Sequence, residues 1–151
     1  MNKESRKREL TIEAAGKNLE KVTSFVDEEL EKLDCPMKIQ AQINIAVDEL
    51  FSNIAHYAYA PRTGPAVVMV EVKESPLEVV ITFIDRGIPY NPLKTEEPNV
   101  TLSAEDREEG GLGIFLVKRI MDDVTYEYRD GQNILSIRKK LESWEDSRPG
   151  L

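Results

Sequence analysis

Apolar positions along the chain follow two periods. Leu19, Val22, Phe25, Val26, Leu30 and Leu33 recur at the three-and-four spacing of a helix, a run that Asp34-Cys35-Pro36 breaks. Ile39, Ile43, Val47, Leu50, Ile54 and Ala58 repeat that spacing, predicting a second and longer helix from Met37 to Tyr59, ended by Ala60-Pro61 and Thr63-Gly64-Pro65. Elsewhere the period is two. AVVMVEVK and LEVVITFID, separated by Glu74-Ser75-Pro76, read as adjacent antiparallel strands, and VTYEYRD with NILSIRKKL reads as a hairpin turned at Asp130-Gly131. Residues 9–15 alternate weakly like a strand, and GGLGIFLVKRIMDD reads as a helix opening at its glycines. The order β-α-α-ββ-loop-α-ββ lacks regular βαβ alternation. It predicts an α+β fold, a two-layer sandwich with helices on one face of a mixed, mostly antiparallel sheet.

One domain is expected over residues 9–141, with flexible tails at 1–8 and 142–151. Between the second hairpin strand and the glycine-led helix the pattern dissolves for more than about twenty residues, longer than the roughly 12–15 that compact domains tolerate without a functional reason. The 151-residue chain carries 20 Lys+Arg against 28 Asp+Glu, a formal charge of -8. A nucleic-acid backbone would meet net repulsion, so no nucleic-acid partner is expected. No stretch approaches the roughly 18 apolar residues of a membrane span, no apolar segment follows the basic N-terminus as a secretion signal would need, and the single Cys35 cannot form an internal disulfide. The expected setting is cytoplasmic, away from membranes.

Three groups could carry chemistry. Glu49, Asn53 and His56 fall within roughly 60° of one helix face, beside the apolar stripe. That places a carboxylate and an amide at the edge of the core, although a solvated helix face carries the same residues for no chemical reason. Asp85 ends an apolar strand at the mouth of the long loop, where its carboxylate could accept a hydrogen bond from the exocyclic amine of a base. The alternative is a turn aspartate that caps its own backbone while Gly87 supplies a positive φ. Gly110, Gly111 and Gly113 open a helix, so backbone N–H groups could approach a phosphate closely, or the glycines only close a tight turn. Arg107 is the cation placed to reach a phosphate there. Neither GxxxxGK[ST] nor GxGxxG is present, and one His with one Cys cannot make a zinc set.

Taken together, IAVDELFSNIAHYAYAP, FIDRGIPYNPL, REEGGLGIFLVKRIMDD and GQNILSIRKKL resemble the GHKL, or Bergerat-fold, ATP-binding proteins, and among them the short bacterial anti-sigma-factor serine/threonine kinases. The resemblance covers about residues 9–141. It implies an ATP and Mg²⁺ site under a lid at residues 88–109, with adenine held by Asp85 above Gly87. It further implies that Asn53 coordinates Mg²⁺, that Glu49 is the general base, and that Arg107 with Gly110, Gly111, Leu112 and Gly113 embraces the phosphates. The implied substrate is a Ser or Thr of a small anti-anti-sigma-type protein, with a sigma factor as a second partner and a homodimer as the working state. Many relatives carry a His four residues after the Asn; here Tyr57 stands there and His56 precedes it. Two other functions share the resemblance: a nucleotide-gated binding module without significant kinase activity, and a detached histidine-kinase-type catalytic domain acting in trans.

Overall fold

The computed structural model describes residues 6–74, 76–94 and 111–141. Strand β1 (Arg6–Glu13) leads through a single 3-10 turn into helices α1 (Leu19–Glu31) and α2 (Met37–Asn53). Strands β2 (Pro65–Lys73) and β3 (Glu78–Asp85) form a hairpin, and α3 (Gly111–Ile120) precedes a second hairpin of β4 (Asp123–Arg129) and β5 (Gln132–Lys140). The strands form one sheet in the order β1-β2-β3-β5-β4. Every described pairing is antiparallel, so the parallel component allowed by a mixed sheet is not found among the described residues.

Alternation decides which face is covered. In β2 the residues Ala66, Val68 and Val70 point to the helices, as do Val79, Ile81 and Phe83 in β3 and Leu135 and Ile137 in β5. Against them pack Val22, Val26 and Leu30 of α1, Ile43, Val47 and Leu50 of α2, and Val117 of α3. The apolar stripes read from the sequence are thus the buried ones, and their burial drives the assembly. Asp34, at a φ of 54°, leaves the helical path after α1, and Asp130 and Gly131, at 54° and 77°, form the two-residue hairpin turn expected of Asp-Gly.

Two boundaries differ from expectation. β1 begins at Arg6, inside the segment read as a flexible tail, with Arg6 opposite Val72. Its charged residues fit because it is an edge strand, and Arg8 reaches Glu29 at 2.9 Å, a carboxylate buried on α1 that Lys32 also meets at 3.1 Å. The second helix, in turn, does not run uniformly to Tyr59: after Asn53 it widens into a π-helical turn over Ile54–Ala58. The buried apolar pattern at Ile54 and Ala58 survives the change of winding, so periodicity could not reveal it. Arg107 and Gly110 lie outside the described residues, as does most of the loop read as a lid.

Candidate functional site

The site begins where the inward rows of β3 and β5 run out of apolar residues. Val79, Ile81 and Phe83 alternate into the core, and the same parity carries Asp85 inward to 5% exposure. Opposite it in register is Asn133, 6% exposed, which ends the inward row of Leu135 and Ile137. A buried carboxylate is costly unless its lone pairs are met. Here Asn133 Nδ2 and the Gly87 N–H both donate to Asp85 Oδ1, each at 2.9 Å. Asn133 Nδ2 also donates to the Ile88 carbonyl at 2.9 Å, while its Oδ1 accepts from the Tyr90 N–H at 3.1 Å and from the Tyr126 hydroxyl. Acceptors surround one end of the amide and donors the other, so only one amide orientation satisfies them. The network converges on one carboxylate oxygen. Among the described residues none of these bonds reaches Asp85 Oδ2, which keeps its acceptor capacity for an N–H donor from outside. Asp85 therefore does cap its own turn, as the plainer reading held, and does so with half of its carboxylate.

Gly87 does not meet the need that the turn alternative assigned to it. Among the described glycines only Gly131 has a positive φ, so Gly87 is not required for backbone freedom. It is required by proximity: a Cβ there would stand 2.5 Å from the carbonyl carbon of Ala58 and 2.7 Å from its Cβ. The Ala58 carbonyl lies at the end of the π-helical turn, where helix carbonyls lose their internal partners, and the Ile88 N–H satisfies it at 3.0 Å. The strand end that carries Asp85 is thus seated against the end of the helix that carries Glu49 and Asn53.

Glu49 and Asn53, one turn apart on α2, are both half-buried. Burial raises the Glu49 pKa above the ordinary glutamate value, and the neighbouring Asp48 charge adds to the rise. The start of α3 packs directly on this carboxylate: a Cβ on Gly113 would stand 2.6 Å from Glu49 Cδ and nearer still to Oε1. The glycine that could admit a phosphate also admits Glu49. α3 begins at Gly111, so the glycine run does open the helix, although the Leu112 side chain is outside what the structure describes. His56, expected on the face of Glu49 and Asn53, lies exposed beside Tyr57, their rings 5.7 Å apart, after the wider π-turn has changed the phase of the helix.

The sequence alone gives Asn133 no role, NILSIRKKL reading as a strand and GQNILSIRKKL as part of the family resemblance. A signal was there: two-residue parity from Ile137 and Leu135 leads to Asn133, and an amide at an inward position demands partners. No described helix is long and apolar enough to cross a membrane.

Comparison with known proteins bears on the family and the fold. The serine/threonine-protein kinase BtrW of Bordetella bronchiseptica is 28% identical over 100 residues, 66% of this chain and 70% of that one. The serine-protein kinase RsbW of Bacillus thuringiensis is 27% identical over 95 residues, 62% of this chain and 59% of that one. The alignment therefore spans less than two thirds of the Bacillus protein. A crystal structure of the RsbU and RsbW domains of a Mycobacterium tuberculosis protein superposes over 90% of this chain, and 32% of its own, with a TM-score of 0.64 at 16% identity, a likeness of fold. The family of the histidine kinase-like ATPase domain matches residues 12–139, which include every described candidate from Glu49 to Asn133, and the chain belongs to that family.

Proposed function

We propose that this chain is an ATP-dependent serine/threonine protein kinase that phosphorylates a small anti-anti-sigma-type protein in the cytoplasm and sequesters a sigma factor in the alternative state of a partner switch. The observation that carries this reading is the contact of Glu49 with Gly113 at the start of α3. It brings a carboxylate of raised pKa to a helix N-terminus whose backbone N–H groups favour anions. Asp85 supports the same reading from the other end, with one oxygen held by Asn133 and Gly87 and the other able to take the amine of adenine.

In this function Glu49 takes the proton of a Ser or Thr hydroxyl as that oxygen attacks the terminal phosphorus of ATP. The bond from phosphorus to the bridging oxygen breaks and ADP leaves. A base whose pKa is raised toward the working pH is better matched to the transfer, and such catalysis contributes about 10²–10⁴-fold. Asn53 offers an amide oxygen of the kind Mg²⁺ accepts, and the ion when bound would neutralise phosphate charge. Arg107 and Gly110 to Gly113 are proposed to complete the phosphate side. For the proposed homodimer we point to the sheet face away from the helices, where Val67, Met69, Ile84 and Ile134 are half-buried apolar residues beside the Thr82–Ser136 pair.

The test is transfer from γ-labelled ATP to an anti-anti-sigma-type protein, followed by acid treatment of the product. Acid-stable label on Ser or Thr supports the kinase. Acid-labile label would assign a histidine-kinase-type domain acting in trans, and nucleotide binding without transfer would leave a nucleotide-gated binding module.

A further inference from the structure

We propose that Tyr59 is a positioning residue of the nucleotide site, its hydroxyl replacing the last rung of the β2–β3 ladder and so setting where the Asp85 strand end lies. The inference rests on the nucleotide reading of Asp85 given above.

The register pairs Val67 with Ile84 and Ala66 with Asp85. Continued by one residue, it places Arg86 opposite Pro65, the first residue of β2. No direct rung forms there. The Arg86 N–H instead donates to the Tyr59 hydroxyl at 2.7 Å, and the hydroxyl donates to the Pro65 carbonyl at 2.6 Å. A phenol oxygen is thus inserted between the two strands, using its one proton and one lone pair. Proline has no N–H to return, so the ladder has no second bond with which to close at this point. Desolvation raises the Tyr59 pKa, so the hydroxyl keeps the proton it donates.

The ring that carries this hydroxyl has a prepared seat. It lies over Gly64, where a Cβ would stand 2.6 Å from Tyr59 Cε1 and 2.7 Å from Cδ1 and Cζ. Its backbone follows Ala58, whose carbonyl takes the Ile88 N–H and whose atoms press on Gly87. Ala58 and Tyr59 therefore hold residues 86–88 from the helix side, while Asn133 holds Asp85, Ile88 and Tyr90 from the sheet side. The strand exit is gripped between two jaws, and only the Tyr59 jaw belongs to the segment that also carries Glu49 and Asn53. Through it the position of the proposed adenine acceptor is referred to the proposed base and metal ligand.

The experiment measures ATP binding with Mg²⁺ by competition titration in wild type, Tyr59→Phe, Asp85→Asn and the double variant, together with amide hydrogen exchange of each. Tyr59→Phe keeps the ring over Gly64 and removes only the hydroxyl. It is expected to weaken ATP about 3- to 10-fold, the range of one neutral hydrogen bond. In the Asp85→Asn background that loss should shrink to less than about 2-fold, because Tyr59 acts through Asp85. Exchange at Arg86, Gly87 and Ile88 should quicken about tenfold while the amides of Val67 to Ile84 hold their rates. Unchanged affinity in Tyr59→Phe while wild type binds and Asp85→Asn does not would overturn the positioning role and spare the nucleotide reading. An equal loss in both backgrounds would also overturn it, reducing Tyr59 to a general support of the fold. Failure of the wild type to bind ATP would instead defeat the nucleotide reading, and this inference with it.

Discussion

The two ends of the site are held by different means. At the Asp85 end, Asn133 joins β5 to the carboxylate, to Ile88 and to Tyr90, and Tyr126 from β4 joins the same amide. At the Glu49 end the side chains of Glu49 and Asn53 make no hydrogen bond to a described residue, and the carboxylate is placed by contact with Gly113. Directional bonds fix an acceptor to within a fraction of an ångström, which suits recognition of a base. Packing with little hydrogen bonding leaves a carboxylate unencumbered, which suits a group that must gain and lose a proton. The helix that carries Glu49 also ends against Gly87, so one element spans the rigid end and the freer one.

That contrast can be broken most strongly at Glu49. Glu49→Gln keeps the shape and removes the proposed base; turnover of ATP is expected to fall about 10²–10⁴-fold with ATP affinity within about twofold of wild type. Loss of affinity on the same scale would mean that the two ends are not separable. Gly113→Ala tests whether packing alone positions the base. The added methyl would displace the Glu49 carboxylate, and a misplacement near 1 Å is expected to lower turnover about 10- to 100-fold, read by steady-state kinetics at saturating ATP. Asn133→Ala probes the other end. It removes a buried partner of Asp85, so thermal or urea denaturation should register a loss of about 1–3 kcal/mol. The smallest effect concerns pH. As the proposed base Glu49 would work ionised, so activity is expected to fall as pH drops through its raised pKa. Asp48→Asn removes the smaller of the two causes of that rise and should move the acid limb of the rate profile to lower pH. A limb that stays in place would assign the titration to another group.

Much of this was legible in the residues. The apolar periods located both long helices and both hairpins because the buried faces are continuous, as in Val79, Ile81 and Phe83. Asp85 was legible as the polar end of such a row. What joins it to the rest was not, because Asn133 lies 48 residues away and becomes a partner only once the β3–β5 register is known. Tyr59 is hidden for the same reason: its hydroxyl matters because Arg86 faces Pro65 across a ladder that sequence alone does not align. The sequence offers Gly87 as a turn glycine or, through the resemblance, as the floor beneath adenine, and Gly113 as phosphate access; that each is also a point of close approach, to Ala58 and to Glu49, is visible only in three dimensions. The π-turn left no trace in the pattern, since Ile54 and Ala58 are buried under either winding.

The claim on which the rest depends is that Asp85 receives a base through the oxygen its network leaves open. Isothermal titration of ATP with Mg²⁺ into wild type and Asp85→Asn tests it directly. The substitution can still present a carbonyl oxygen to Asn133 and Gly87 but turns a donor toward the site. Affinity is predicted to fall about 10- to 150-fold, the value of one charge-assisted hydrogen bond. Equal affinity in the two proteins would reduce Asp85 to a residue of the turn and contradict the account.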